Sequence, residues 1–145
     1  MIREFKSDDI DKIADIWLDT NIRAHDFIPR SYWVNNYYAV KKMLPRSEIF
    51  VYENGGEING FIGLSDNFIE GIFVREGARS KGIGRQLLHH AKRTKNSLTL
   101  RVYSRNGRAV RFYEREGFTV ISVMTDENTG EEELLMSWER SGEER

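Results

Sequence analysis

The stretch that most narrows the possible fold is IEGIFVREGARSKGIGRQLLHHAKR, residues 69–93. Its first part is a short apolar run of β-branched and aromatic residues, as in a strand. Its last part repeats apolar residues at Ile83, Leu87, Leu88 and Ala91, as on one face of a helix. Between them lies a loop with Gly82 and Gly84 and four basic side chains, Arg75, Arg79, Lys81 and Arg85. A strand that runs through a glycine-rich loop into a helix belongs to a layered α/β domain.

The same change of period organises the rest of the chain. IREF reads as a short strand. Ser7 can cap a helix whose first turn carries Asp8 and Asp9, where acids favour the helix dipole. Ile10, Ile13, Ala14 and Trp17 then predict a helix to about Thr20. AHDFIP interrupts it, and residues 31–44 read as a second, aromatic-rich helix stopped by Pro45. EIFVYE and EINGFIGLSD flank Asn54-Gly55-Gly56, a hairpin turn. FIEGIFV is a further strand, with a bulge expected at Gly71. SLTLRVY is another, residues 106–116 a short helix ended by Gly117, and FTVISVMTD and ELLMSWE a last pair around Asn128-Thr129-Gly130. The order β-αα-βββ-α-β-α-ββ predicts a mixed central sheet of about seven strands flanked by about four helices. It forms one domain over residues 1–140, with a frayed tail at 141–145.

Bulk properties exclude several classes. The 145 residues suit one domain with a sizeable core. The absence of cysteine removes disulfides, thiolate metal sites and a cysteine nucleophile. No apolar run approaches the roughly 18 residues of a membrane span, and MIREFKSDDIDKI lacks a signal-peptide core. A soluble cytoplasmic protein is expected. The net charge of −1 is uneven: residues 75–95 hold seven Lys and Arg against one acid, and residues 126–145 hold eight acids against two arginines. That balance makes no case for nucleic-acid binding.

The glycine loop offers anion chemistry. A Walker loop is absent, and the dinucleotide fingerprint lacks its third glycine because position 87 is Leu. What remains is R-x-x-G-x-G, from Arg79, Gly82 and Gly84. Unpaired amides at a helix start point at a ligand and favour negative charge. Glycines admit close backbone approach. Arg79, Lys81 and Arg85 can each add a charge-assisted bond of about 1.5–3 kcal/mol. A pyrophosphate fits this loop; read alone, so does a helix start with a solvated basic face.

The loop has company. IEGIFV, REGARSKGIGRQLL, LTLRVYSRN and NGRAVRFYEREGF together closely resemble the GNAT superfamily of N-acetyltransferases. Asn106, Ala109, Phe112, Tyr113, Gly117 and Phe118 resemble its second motif, N-x-x-A-x-x-F-Y-x-x-x-G-F. The resemblance implies the GNAT fold and acetyl-CoA as donor, with no metal. It implies that the pantetheine arm pairs with the backbone of Ile72, Phe73 and Val74, as an added strand would. The loop Arg79, Ser80, Lys81, Gly82, Ile83, Gly84 and Arg85 would take the pyrophosphate, and Asn106 the pantetheine. Tyr113 matches the tyrosine that bonds or protonates the leaving sulfur; a core tyrosine is the alternative. For the base, Glu70 lies on the strand where some relatives carry a catalytic glutamate, and His25 lies in the acceptor loop; a solvated strand and an incidental loop histidine are the competing readings. His89 and His90 adjoin on one helix and make a poor metal pair. The implied reaction is direct transfer to an amine in a ternary complex. The alternative is an inactive coenzyme A sensor or interaction module. The acceptor, whether small molecule or protein amine, is not legible, and the chain could be a monomer or a homodimer.

Overall fold

The computed structural model describes residues 1–79 and 81–141. Its elements follow the expected order: β1 (Ile2–Glu4), α1 (Ile10–Ala24), α2 (Arg30–Met43), β2 (Glu48–Asn54), β3 (Glu57–Ser65), β4 (Phe68–Val74), α3 (Ile83–Thr94), β5 (Ser97–Tyr103), α4 (Gly107–Arg115), β6 (Thr119–Thr125) and β7 (Glu132–Glu139). One seven-stranded sheet runs β1-β2-β3-β4-β5-β7-β6. Every neighbouring pair is antiparallel except β4 and β5. Among the described residues no helix is long and apolar enough to cross a membrane.

Alternation along β3 divides the core between two faces. Ile62 and Leu64 point to the side where Leu87, Leu88 and Ala91 of α3 join Leu98, Leu100 and Met136. Phe61 points to the other side, where Ile13, Ala14 and Ile16 of α1 pack on Ile49 and Val51. These side chains are essentially sealed from water. Burying each apolar one stabilises the fold by about 1.5–3 kcal/mol. The 3.6-residue spacing of α3 is what lets Ile83, Leu87, Leu88 and Ala91 reach this core together.

Two local expectations need correction. Ser7 does not cap α1. Ser7–Asp9 forms a 3-10 turn, and Asp9 is the anchor. Its carboxylate accepts from the Lys6 amide at 2.8 Å and from both terminal nitrogens of Arg3 at 2.8 and 3.0 Å. A buried carboxylate fixed by a forked guanidinium holds the helix start more tightly than a hydroxyl could. The first helix also continues past Thr20 to Ala24, which brings its last turn to the centre of the molecule.

The second correction concerns β4. The expected bulge exists, but the register skips Glu70, not Gly71: Leu64 pairs with Ile69 and Gly63 with Gly71. A bulge bends its strand and increases its twist. The consequence lies on the opposite edge. β4 meets β5 only at Phe68↔Thr99 and Ile69↔Leu100, and beyond that point the two strands part. Among the described residues the β5-facing edge of β4 therefore has no strand partner from Glu70 to Val74.

Candidate active site

A cleft of about 750 Å³ opens where β4 and β5 separate. Five segments line it: the last turn of α1 through His25, the free end of β4 at Ile72, Phe73 and Val74, the turn carrying Glu76 and Arg79, the start of α3 from Gly82 to Arg85, and α4 with Asn106 before it. Five arginines (Arg23, Arg79, Arg85, Arg108, Arg115) face it against two glutamates, Glu76 and Glu116. The cleft is thus basic on an acidic molecule and suits an anionic ligand.

Most residues singled out from the sequence converge here. Ile72, Phe73, Val74, Arg79, Gly82, Ile83, Gly84, Arg85, Asn106, Tyr113 and His25 all belong to the lining. Lys81 is exposed and outside it, and Ser80 lies outside the described residues. Gly82 has φ +76° and is the residue before the first turn of α3; only glycine adopts this left-handed turn without strain. Gly84 is different. A Cβ there would meet Val74, Phe112 and Ile72 at 3.7–3.9 Å, ordinary contact distances. The protein's own packing does not require glycine at 84, and the missing side chain leaves the helix start open to close approach.

Two of the arginines are already engaged. Arg79 pairs with Glu76 at 2.9 Å and Arg85 with Glu116 at 3.4 Å. His89 also meets Glu116, at 2.9 Å, and His90 packs its ring edge-on against Phe50. Both histidines are half-buried and in contact with these separate neighbours, so they do not form a pair.

Tyr113 is 8% exposed, packed edge-on against Phe112 and Phe118. Burial raises its pKa, so its hydroxyl remains a neutral donor across the physiological range. That hydroxyl has no hydrogen-bond partner among the described residues. Asn106 caps α4: its Oδ1 accepts from the Ala109 amide at 3.3 Å, while Nδ2 lies 3.1 Å from His25 Nε2. His25 stacks on Trp33 with ring centroids 5.3 Å apart and meets Tyr103 edge-on. Burial lowers its pKa to about 4, opposed by the Asn21 carbonyl.

Glu70 stands apart. The bulge turns it over Gly63 on the α1 face of the sheet, exposed and outside the cleft lining. Its two oxygens accept from Ser47 Oγ at 2.6 Å and Ser65 Oγ at 2.7 Å. Sequence reasoning missed the contributions of Arg23 and Glu116, and also Arg108 and Arg115. The last two recur seven apart on α4 next to Asn106, a spacing that puts them on one face and could have been read.

Comparison with known proteins decides the family. The family model described as Acetyltransferase (GNAT) domain matches residues 45–120. The chain is a GNAT acetyltransferase. It is 29% identical over 140 residues to the peptidyl-lysine N-acetyltransferase YiaC of Escherichia coli, covering 95% of this chain and 96% of that one. It is 30% identical over 120 residues to the peptidyl-lysine N-acetyltransferase YjaB of Salmonella typhimurium, covering 82% and 83%. The solution structure of apo-form YjaB from Escherichia coli superimposes with a TM-score of 0.86 at 26% identity, over 97% of this chain and 98% of that one. The acetyltransferase draws its acetyl group from acetyl-CoA and passes it to an amine. The cleft fits that donor on its own evidence: an unpaired strand edge, a glycine-opened helix start and an excess of arginine.

Proposed function

We propose that this acetyltransferase modifies the side-chain amine of lysine in proteins. Support comes from relatives of that activity matched over 82–95% of this chain, together with a cleft whose free strand edge meets the start of α3. In this reading the pantetheine of acetyl-CoA pairs with the backbone of Ile72, Phe73 and Val74. The amides at Gly82–Arg85 hold the pyrophosphate, and Arg79 and Arg85 add charge-assisted bonds.

The donor supplies an activated thioester. The chain's own residues must orient the amine, accept its proton and stabilise the departing sulfur. A lysine amine near pKa 10.4 costs about 4–5 kcal/mol to neutralise at pH 7. In this reading Glu70, exposed on the α1 face outside the cleft lining, takes this proton through water with the lone pairs that Ser47 and Ser65 leave free. Tyr113 serves the sulfur. Its pKa lies above the ordinary value of about 10, against about 8.5 for a thiol, so full proton transfer is uphill by more than about 2 kcal/mol. A hydrogen bond that strengthens as charge develops is the better role.

The test is thiol release from acetyl-CoA with a lysine peptide, an α-amine peptide and a polyamine, followed by mass spectrometry of the products. Acetyl on the lysine side chain is the expected outcome. Tyr113→Phe should keep acetyl-CoA affinity and lose turnover about 10²–10³-fold. Binding without turnover on any amine would favour the sensor reading instead.

A further inference from the structure

We propose that His25 is a positioning residue that acts through Asn106: its Nε2 accepts a hydrogen bond from Asn106 Nδ2 and so fixes the carboxamide between the acceptor loop and the cap of α4. The inference rests on the donor-cleft reading above and adds a link between its two sides.

The hydrogen-bond directions follow from the cap. Asn106 Oδ1 accepts from the Ala109 amide, so a flipped carboxamide would set its NH2 against that N–H. Nδ2 therefore faces His25, and His25 Nε2, 3.1 Å away, must be the acceptor. A neutral ring with an acceptor Nε2 carries its proton on Nδ1. Nδ1 is buried and has no hydrogen-bond partner among the described residues; the Asn21 carbonyl lies near without meeting bonding geometry.

The surroundings keep the ring in this form. Trp33, Phe27 and Tyr103 enclose it with ring centroids 5.1–5.6 Å away. Among the described residues no carboxylate pairs with it, and Asp126 is occupied in accepting from the Tyr103 hydroxyl. Desolvation without a counter-charge disfavours the imidazolium, and a protonated Nε2 would confront the Asn106 NH2. A base for a lysine amine needs the opposite environment, and its lone pair must face the substrate. The Nε2 lone pair here is already used.

The geometry joins two sides of the enzyme. His25 ends the last turn of α1 and opens the connection to α2. Asn106 opens α4, which carries Tyr113. Movement of the acceptor loop is thereby felt at the donor cleft.

A double-mutant cycle on the full chain tests this. His25→Phe keeps a ring in the aromatic box but removes the acceptor; His25→Gln offers an amide oxygen to Asn106. Loss of one such bond predicts acetyl-CoA binding about fivefold weaker in His25→Phe by calorimetry, largely restored in His25→Gln. The Phe effect should vanish in an Asn106→Ala background. The acidic limb of the kcat/KM pH profile should stay in place in both variants. A fall in turnover of about 10²–10⁴ with unchanged binding and a displaced acidic limb would make His25 the base and overturn the proposal. Additive effects of the His25 and Asn106 changes would overturn it too. Nitrogen-15 NMR of the unsubstituted protein is independent of variant folding and of donor binding. It should show Nδ1 protonated and Nε2 bare from pH 5.5 to 8, and the reverse tautomer would sink the inference. If the unsubstituted protein fails to bind acetyl-CoA, the donor-cleft reading falls, whatever the NMR result.

Discussion

Replacing Gly84 by alanine should make this protein more stable and worse at its work. Gly84 is the second residue of α3 and does not have positive φ. A methyl group would meet Val74 Cγ2 at 3.7 Å, Phe112 Cζ at 3.8 Å and Ile72 Cγ2 at 3.9 Å, each an ordinary contact. With no clash, the substitution mainly reduces the freedom of the unfolded chain and improves helix propensity. That is worth about 0.4–1 kcal/mol. For a domain of this size the melting temperature should rise by roughly 1–4 °C. The three atoms it would touch belong to residues lining the cleft, so the methyl would lie on the cleft floor beside the α3 amides proposed to hold the pyrophosphate. Acetyl-CoA affinity should fall tenfold or more, about 1.4 kcal/mol or above. Thermal melts with and without acetyl-CoA, alongside calorimetry, separate the two effects. A stabilised variant that still binds acetyl-CoA like the unsubstituted protein would refute the placement of the donor at the start of α3. A destabilised variant would refute the packing argument.

Three further outcomes are expected. Glu116→Gln removes a carboxylate from a cleft that must accept phosphates and releases Arg85 from its 3.4 Å pair, so acetyl-CoA should bind about two- to fivefold more tightly at low salt, with the gain shrinking as salt is added. Asp9→Asn should cost about 1.5–3 kcal/mol in urea denaturation at pH 7, because it removes the charge-assisted fork on part-buried Arg3, which keeps only its 2.7 Å pair with Glu53. Arg3 holds the folded pKa of Asp9 below the ordinary 3.8, so this contribution is full above that value and is lost as pH falls toward the folded pKa; the gap between variant and parent should close in that window. Gly82→Ala, at φ +76° with open space around it, should destabilise by about 1–2 kcal/mol from backbone strain alone, the opposite sign to Gly84→Ala in the same loop.

Features set by local chemistry were legible from the residues. Asn54-Gly55-Gly56 announced its hairpin because two successive positive φ angles, +61° and +82°, are open chiefly to glycine. The glycine loop and Asn106–Phe118 announced the cleft because each lies within a few residues of the helix it opens or forms. Features set by distant partners were not legible. Ser7 looked like the cap of α1, but Arg3 and Asp9 do that work through a contact that exists only once β1 is in place. Alternation would have put Glu70 with Phe68 and Ile72; the register skip opposite Gly63 moves it to the other face, and no single residue type dictates where a skip falls. The contact between His25 and Asn106 was not legible either, because the two are 81 positions apart. The insertion of β7 between β5 and β6 likewise follows from pairing, not from spacing.

The seam between β4 and β5 has a consequence for how long the enzyme survives in a cell. Only two residue pairs join the halves of the sheet, although they share one core beneath α3. A donor lying along the free edge of β4, as proposed, would act as a reversible rivet across that seam. At a donor concentration one hundred times the dissociation constant, the folded form gains about 2.7 kcal/mol over the unfolded. Proteases act on opened chains, so the lifetime of this protein should follow the supply of acetyl-CoA. Starved of donor, the cell would hold fewer copies of the enzyme as well as idle ones.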